Sequence, residues 1–244
     1  MRTVVLAGTK GGCGKTSLAF ATGIRAALEA RVYFADVDPQ HSLIDMCQRR
    51  AEDIEGDNPC LLEGVESIIE AKRRLHESGF LRDYLIVDTP GSFVDIIADA
   101  VAAADVVIVP VLASPLDILA QEAVSRIITE LHKSAVTLMV LNKIDRRSKI
   151  IDEAMELIVP MFPNKPVWIS HRVSYVRGAV AGLSPAEIDK GAKGEIDALW
   201  TGIQKILRNS RNEKTQSRQP KTRQARRPAR RRKERTEGHP AKSI

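Results

Sequence analysis

The sequence predicts an α/β fold: a mostly parallel, twisted sheet with helices on both faces. Three observations predict it. Short apolar, β-rich runs recur along the chain, most are separated by stretches of helical spacing, and a glycine-rich segment follows the first run and opens a helix. Strand, helix and strand in repetition imply parallel strands joined by right-handed crossovers. Runs that are apolar almost throughout suit strands covered on both sides.

TVVLAG (3–8) is the first strand, and helical spacing follows over 15–29. VYFADV (32–37) is the second. Residues 42–80 show no clear pattern apart from a helix near 65–77. YLIVDT (84–89) precedes a helix over 92–103, VVIVPV (106–111) one over 115–132, and TLMVLN (137–142) one over 148–160. VWIS (167–170) is the sixth strand. The final helix, 191–208, spaces Ile196, Leu199, Trp200, Ile203, Ile206 and Leu207 along one face. That face either packs on the sheet or lies on a membrane surface. There is no internal repeat.

A chain of 244 residues, 43% of them apolar, holds one sizeable core and reads as a soluble protein. With no apolar run of about 18 residues, no transmembrane helix is expected. The apolar part of MRTVVLAGTK is too short for a secretory signal. Cys13, Cys47 and Cys60 form no CxxC pair and leave an odd count, which fits reduced thiols in a cytoplasm.

The net charge of +6 hides a division. From Arg208 to the end there are 14 Lys or Arg and three Asp or Glu, leaving 23 basic and 28 acidic residues in 1–207. A mildly acidic body therefore carries a strongly basic tail. Residues 208–244 lack the apolar side chains needed for a core and read as a disordered tail. The tail is either a solubilising extension or an electrostatic arm for nucleic acid. The clustered Arg226, Arg227, Arg230, Arg231 and Arg232 favour the arm, making non-specific phosphate contacts.

AGTKGGCGKTS (7–17) is built like a phosphate-binding loop with a departure. Thr9 stands where an opening glycine is usual, and Lys10 adds a second cation. Gly11, Gly12, Cys13, Gly14 and Ser17 let backbone N–H groups close around phosphate oxygens at a helix N-terminus. Lys15 reaches the β and γ phosphates, and the Thr16 hydroxyl ligates Mg²⁺. The pattern KGGxGK[ST] is expected by chance on the order of 10⁻⁵ times in such a chain.

ADVDPQHS (35–42) ends the second strand. Asp36 and Asp38 either face the cleft together, near metal and attacking water, or belong to a polar turn started by Asp38-Pro39; the stretch alone leaves both open. In LIVDTPGS (85–92), Asp88 holds the Mg²⁺ shell while Gly91 offers its N–H to a γ-phosphate. Three such motifs at successive strand ends fall where open α/β sheets bind ligands.

Lys10-Gly11-Gly12-Cys13-Gly14-Lys15-Thr16 resembles the deviant Walker A motif of the ParA/MinD family of P-loop ATPases, whose pattern has the extra lysine and does not demand the opening glycine. Asp36-Val37-Asp38-Pro39-Gln40 looks like its switch I, and Asp88-Thr89-Pro90-Gly91 like its Walker B and switch II. HRVSYVRGAVAGLSPAEID (171–189) is similar to the stretch before the C-terminal helix of ParA proteins. The likeness covers 1–207, and the short N-terminus implies the small form.

The resemblance implies a slow ATPase using ATP and Mg²⁺, with partner-stimulated hydrolysis. It implies that Lys10 crosses an ATP-dependent homodimer to touch the partner's phosphates, that Asp38 orients the lytic water, and that Asp36 and Asp88 support the metal. Asn142 would lie near adenine. ParA relatives bind DNA non-specifically and position plasmids, chromosome regions or protein cargoes with a ParB-like or adaptor partner. MinD relatives bind membrane through a terminal amphipathic helix, and the hydrophilic tail here points to DNA, no membrane contact and a nucleoid-associated chain. Arg172 and Arg177 are further candidate DNA contacts. Asn142-Lys143-Ile144-Asp145 resembles the guanine-reading NKxD of GTPases, so a GTPase is the alternative. Reductases of the superfamily would need paired cysteines that this chain lacks.

Overall fold

The computed structural model describes residues 1–55, 59–79, 83–145, 147–148 and 150–218, with side chains as far as Asn212. Seven parallel strands form one sheet: β1 (Arg2–Leu6), β2 (Val32–Asp36), β3 (Cys60–Leu61), β4 (Tyr84–Asp88), β5 (Val106–Leu112), β6 (Thr137–Ile144) and β7 (Val167–Ser170). Their order is β3-β2-β4-β1-β5-β6-β7. The six expected strands are all present. The seventh, β3, has only two residues and lies at the sheet edge, so it leaves no apolar run in the sequence.

Side chains alternate between the two faces, as strand geometry requires. Val4 and Leu6 enter one core with Phe20, Phe34, Leu138 and Trp200. Val5 and Ala7 enter the other with Leu75, Ile97, Val124 and Ile158. The first face is covered by α1 (Lys15–Ala27), α2 (Ser42–Asp53) and α10 (Lys190–Arg218), the second by α3 (Ile68–Glu77), α4 (Val94–Ala103), α6 (Glu122–Glu130) and α7 (Ile150–Ile158). Ile196, Leu199, Trp200, Ile203, Ile206 and Leu207 of α10 are all buried, so that face is core and not a membrane-surface stripe.

Two expectations need correction, and three helices were not expected. The helix expected over 115–132 is two, α5 (Pro115–Leu119) and α6, separated at Ala120-Gln121. The break lets α5 sit over the first loop, where Thr9 Oγ1 donates to Ala120 O at 3.2 Å, while α6 packs on the sheet. Residues 42–53 and 173–180, the latter α8 (Val173–Val180), are helical, and α9 (Pro185–Ile188) is a further turn with a Ser184/Glu187 capping box. Finally α10 continues to Arg218, so residues 208–218, expected to be disordered, are helix and the expected boundary at 207 falls inside it. Extending an already packed helix costs little, because the nucleus is formed and Arg, Lys, Glu and Gln are good helix formers.

Candidate nucleotide site

Register aligns the site. Leu6 pairs with Asp88, and Asp88 with Asp36, so β1, β4 and β2 end at one level. The loop after β1, the Asp36–Ser42 turn and the Asp88–Gly91 turn therefore share one rim. They line a cavity of about 550 Å³ with Gly11, Lys15, Thr16, Asp38, Gly91 and Lys143.

Gly14 begins α1 with φ +99, and a Cβ there would stand 2.2 Å from Asn142 Nδ2. Only glycine fits both demands. Gly91 has no positive φ, but a Cβ added there would meet Gly11 N at 3.2 Å, so this turn lies directly on the loop after β1. Among the described residues Asn142 is nearly buried and donates to Cys13 O at 2.7 Å. Cys13 is buried too, which pushes its thiol pKa up.

Thr16 Oγ1 donates to Asp88 Oδ2 at 2.6 Å. Asp88 Oδ1 is fully buried and has no hydrogen-bond partner among the described residues. Burial is the largest cause pushing the Asp88 pKa up to about 7; Asp36 and Asp38 add to it, against the Thr16 hydrogen bond and Lys15. A buried carboxylate oxygen with nothing to accept, beside a hydroxyl, fits a hard divalent cation. No group of three or more His, Cys, Asp or Glu side chains able to hold a metal occurs among the described residues.

Asp36 spends both carboxylate oxygens on backbone N–H donors. Its Oδ1 accepts from Asp38 N at 3.1 Å and its Oδ2 from Leu43 N at 2.9 Å and Ile44 N at 3.2 Å. It thus anchors the first turn of α2 and fixes the loop carrying Asp38. Burial raises its pKa, against those three N–H donors. Asp38 lines the cavity and its carboxylate accepts from Gln40 N at 3.0 Å, so the stretch forms a turn that brings Asp38, and not Asp36, to the cleft.

The two lysines diverge. Lys15 is 7% exposed and donates to Lys10 O at 3.1 Å, its ammonium lying along the loop. Lys10 leaves the loop and pairs with Asp117 on α5. Asp117 was not legible as a functional residue, because one aspartate in an amphipathic stretch carries no pattern.

The family model for the CobQ/CobB/MinD/ParA nucleotide binding domain matches residues 4–179. The chain belongs to the CobQ/CobB/MinD/ParA family. Within it, the chain is 28% identical over 204 residues to the maintenance of carboxysome distribution protein A of Halothiobacillus neapolitanus, covering 80% of this chain and 91% of that one. The structure of a Cyanothece McdA–ATP complex matches with a TM-score of 0.64 at 20% identity, covering 85% and 96% of the two chains. The cell-division protein MinD of Aquifex aeolicus matches with a TM-score of 0.66 at 20% identity, covering 85% and 97%. The fold is thus that of ParA/MinD P-loop proteins.

Among the expected DNA contacts, Arg172 is corrected. Its guanidinium donates to Glu195 at 3.1 and 2.9 Å and to Asp189 at 3.3 Å, and only 23% of the side chain is exposed. Glu195 also accepts from Ser170, so Arg172 ties β7, α9 and α10 together instead of facing a ligand. Arg226, Arg227, Arg230, Arg231 and Arg232 lie outside the described residues.

Proposed function

We propose that this family member is an ATPase that dimerises on ATP, holds DNA non-specifically in that state, and positions a cargo by hydrolysing ATP to ADP and phosphate. The observation that carries the reading is Lys10. One lysine, Lys15, already lies along the phosphate loop, whereas Lys10 is 43% exposed and held outside it by Asp117. Around Lys10 the surface is apolar: Leu116 and Leu119 of α5 are 78% and 66% exposed, and Phe93 beyond the switch turn is 50% exposed. An apolar rim with a cation in it suits a second copy of the chain, whose phosphates Lys10 would meet.

In this reading Gly11, Gly12, Cys13, Gly14, Lys15 and Ser17 cradle the phosphates. Thr16 and Asp88 hold Mg²⁺, with Asp36 supporting it from behind by fixing the Asp38 loop. Bound there, Mg²⁺ would offset the charge of the phosphates. Asp38 orients a water in line with the γ-phosphorus, whose oxygen forms the new P–O bond as the bond to the ADP oxygen breaks. Gly91 N–H faces the γ-phosphate, so cleavage removes both that contact and the one to Lys10, and the dimer loosens.

ATP is favoured over GTP by Asp145. Its carboxylate accepts from Arg147 N at 3.0 Å within its own turn and is absent from the lining of the second cavity beside Asn142 and Tyr175, where a base would lie. The relative whose name states carboxysome distribution supports a protein cargo over a plasmid.

The test is sedimentation velocity of the full chain with ATP, ADP, GTP or no nucleotide, together with anisotropy of a labelled random-sequence duplex. ATP alone should give dimer and tighten DNA binding, and Lys10→Ala should lose both while still binding ATP. A Lys10→Ala chain that dimerises like the parent on ATP would sink the mechanism.

A further inference from the structure

The loop that ends β6 holds an uncommon backbone conformation at Lys143. Its φ of +55 lies in the left-handed region, which side chains other than glycine adopt rarely and at a cost. The turn sends its side chain back over the first loop, where Nζ donates to Gly12 O at 2.8 Å. The preceding Asn142 donates to Cys13 O. Two consecutive side chains therefore hold two consecutive carbonyls of the phosphate loop.

That arrangement has a chemical reason. A loop that binds an anion through N–H groups must turn its carbonyl oxygens away, and a carbonyl left unpaired near phosphate repels it. An ammonium on Gly12 O fixes the peptide's direction and offsets its partial negative charge. Gly12 itself has φ +75 and, having no side chain, cannot hold this geometry by its own packing.

Lys143 also occupies a boundary. With Gly14 and Ser17 it lines both the cavity over the phosphate loop and a smaller one of about 100 Å³ bounded by Asn142, His171, Tyr175 and Val176. A nucleotide spanning the two would pass along its four-carbon stem.

We propose that Lys143 is a nucleotide-positioning residue: its ammonium sets the shape of the phosphate loop, and its stem forms the wall between the phosphate and base ends of the cavity. The inference rests on the nucleotide reading above. It differs from the roles of Lys10 and Lys15 because Lys143 acts through the loop and is indifferent to the γ-phosphate.

Three full-length variants separate these parts. Lys143→Met keeps the stem and loses the ammonium, Lys143→Ala loses both, and Lys143→Arg keeps a donor. Fluorescent mant-ADP and mant-ATP report affinity and dissociation rate. Lys143→Met should weaken ADP and ATP by the same factor, about tenfold for one charge-assisted hydrogen bond. Lys143→Ala should weaken both further, with faster release, and Lys143→Arg should recover most of the loss. In steady state KM should rise more than kcat falls. The proposal is overturned if Lys143→Ala binds both nucleotides like the parent, or if Lys143→Met loses ATP but keeps ADP. If the parent chain binds neither probe, the nucleotide reading itself fails, which is a separate result.

Discussion

Asp88 is wholly buried at the end of β4, with a hydroxyl on one oxygen and, among the described residues, no hydrogen-bond partner on the other. Its raised pKa has a thermodynamic sign. A carboxyl whose folded pKa lies above the unfolded one binds its proton more tightly when folded, so its stabilising effect is complete below about pH 4 and is lost as pH rises through about 7. Asp88→Asn keeps the neutral form at every pH. In nucleotide-free and Mg²⁺-free buffer, the melting temperature of Asp88→Asn relative to the parent should therefore climb from pH 4 to pH 8. The free-energy gain should be on the order of a few kcal/mol. A difference flat across that range, followed by calorimetry, contradicts the buried unpaired carboxylate. Such a cost carried by the free protein is what a site for a cation looks like. The sequence made Asp88, Thr16 and Lys15 legible because they sit in a fixed pattern. It did not reveal that Asp36 would spend one oxygen on Asp38 N and the other on the first turn of α2, nor that Asp117 would hold Lys10, since neither arrangement has a local spacing to read.

At the scale of elements, α1 makes a close core contact with β2. Phe20 and Phe34 stack with ring centroids 6.0 Å apart, and Gly23, one turn on, lets the Phe34 ring approach. A Cβ at Gly23 would lie 2.1 Å from that ring. Gly23→Ala should improve helix propensity by about 1 kcal/mol and still destabilise the protein by roughly 1–3 kcal/mol net through overpacking, read from the urea midpoint at unchanged slope. An unchanged midpoint would mean that α1 is not set against β2 as described. Gly23 looked like a weak point in an otherwise good helix, and its reason lies on another element. The same limit explains the other differences. Long strands buried on both faces, such as β5 and β6, announce themselves by composition. β3 is a two-residue edge, and α2 has only Leu43 and Met46 buried, so neither leaves a periodic trace. The break between α5 and α6 follows from Thr9 and the loop it touches, more than a hundred residues upstream.

For the whole molecule, charge is segregated: the 1–207 body has five more acidic than basic residues, while 208–244 has eleven more basic than acidic. A body of that sign repels DNA, so the proposed nucleotide switch in the body and a basic arm in the tail would make different demands on DNA. If the tail supplies the phosphate contacts, replacing Arg226, Arg227, Arg230, Arg231 and Arg232 by Gln should lower the slope of log K against log salt by up to about 4 units. Duplex binding without nucleotide should then weaken at every salt concentration, with only the nine remaining Lys and Arg of 208–244 to hold it. With ATP a residual should survive, since a dimer doubles every remaining weak contact and raises effective concentration. Anisotropy over a salt series, with and without ATP, separates the two. Equal slopes for parent and variant would remove the tail from the interface and leave DNA binding to the folded body. A loss of binding under both conditions would make the arm the whole DNA site, and the ATP cycle would then act on cargo alone.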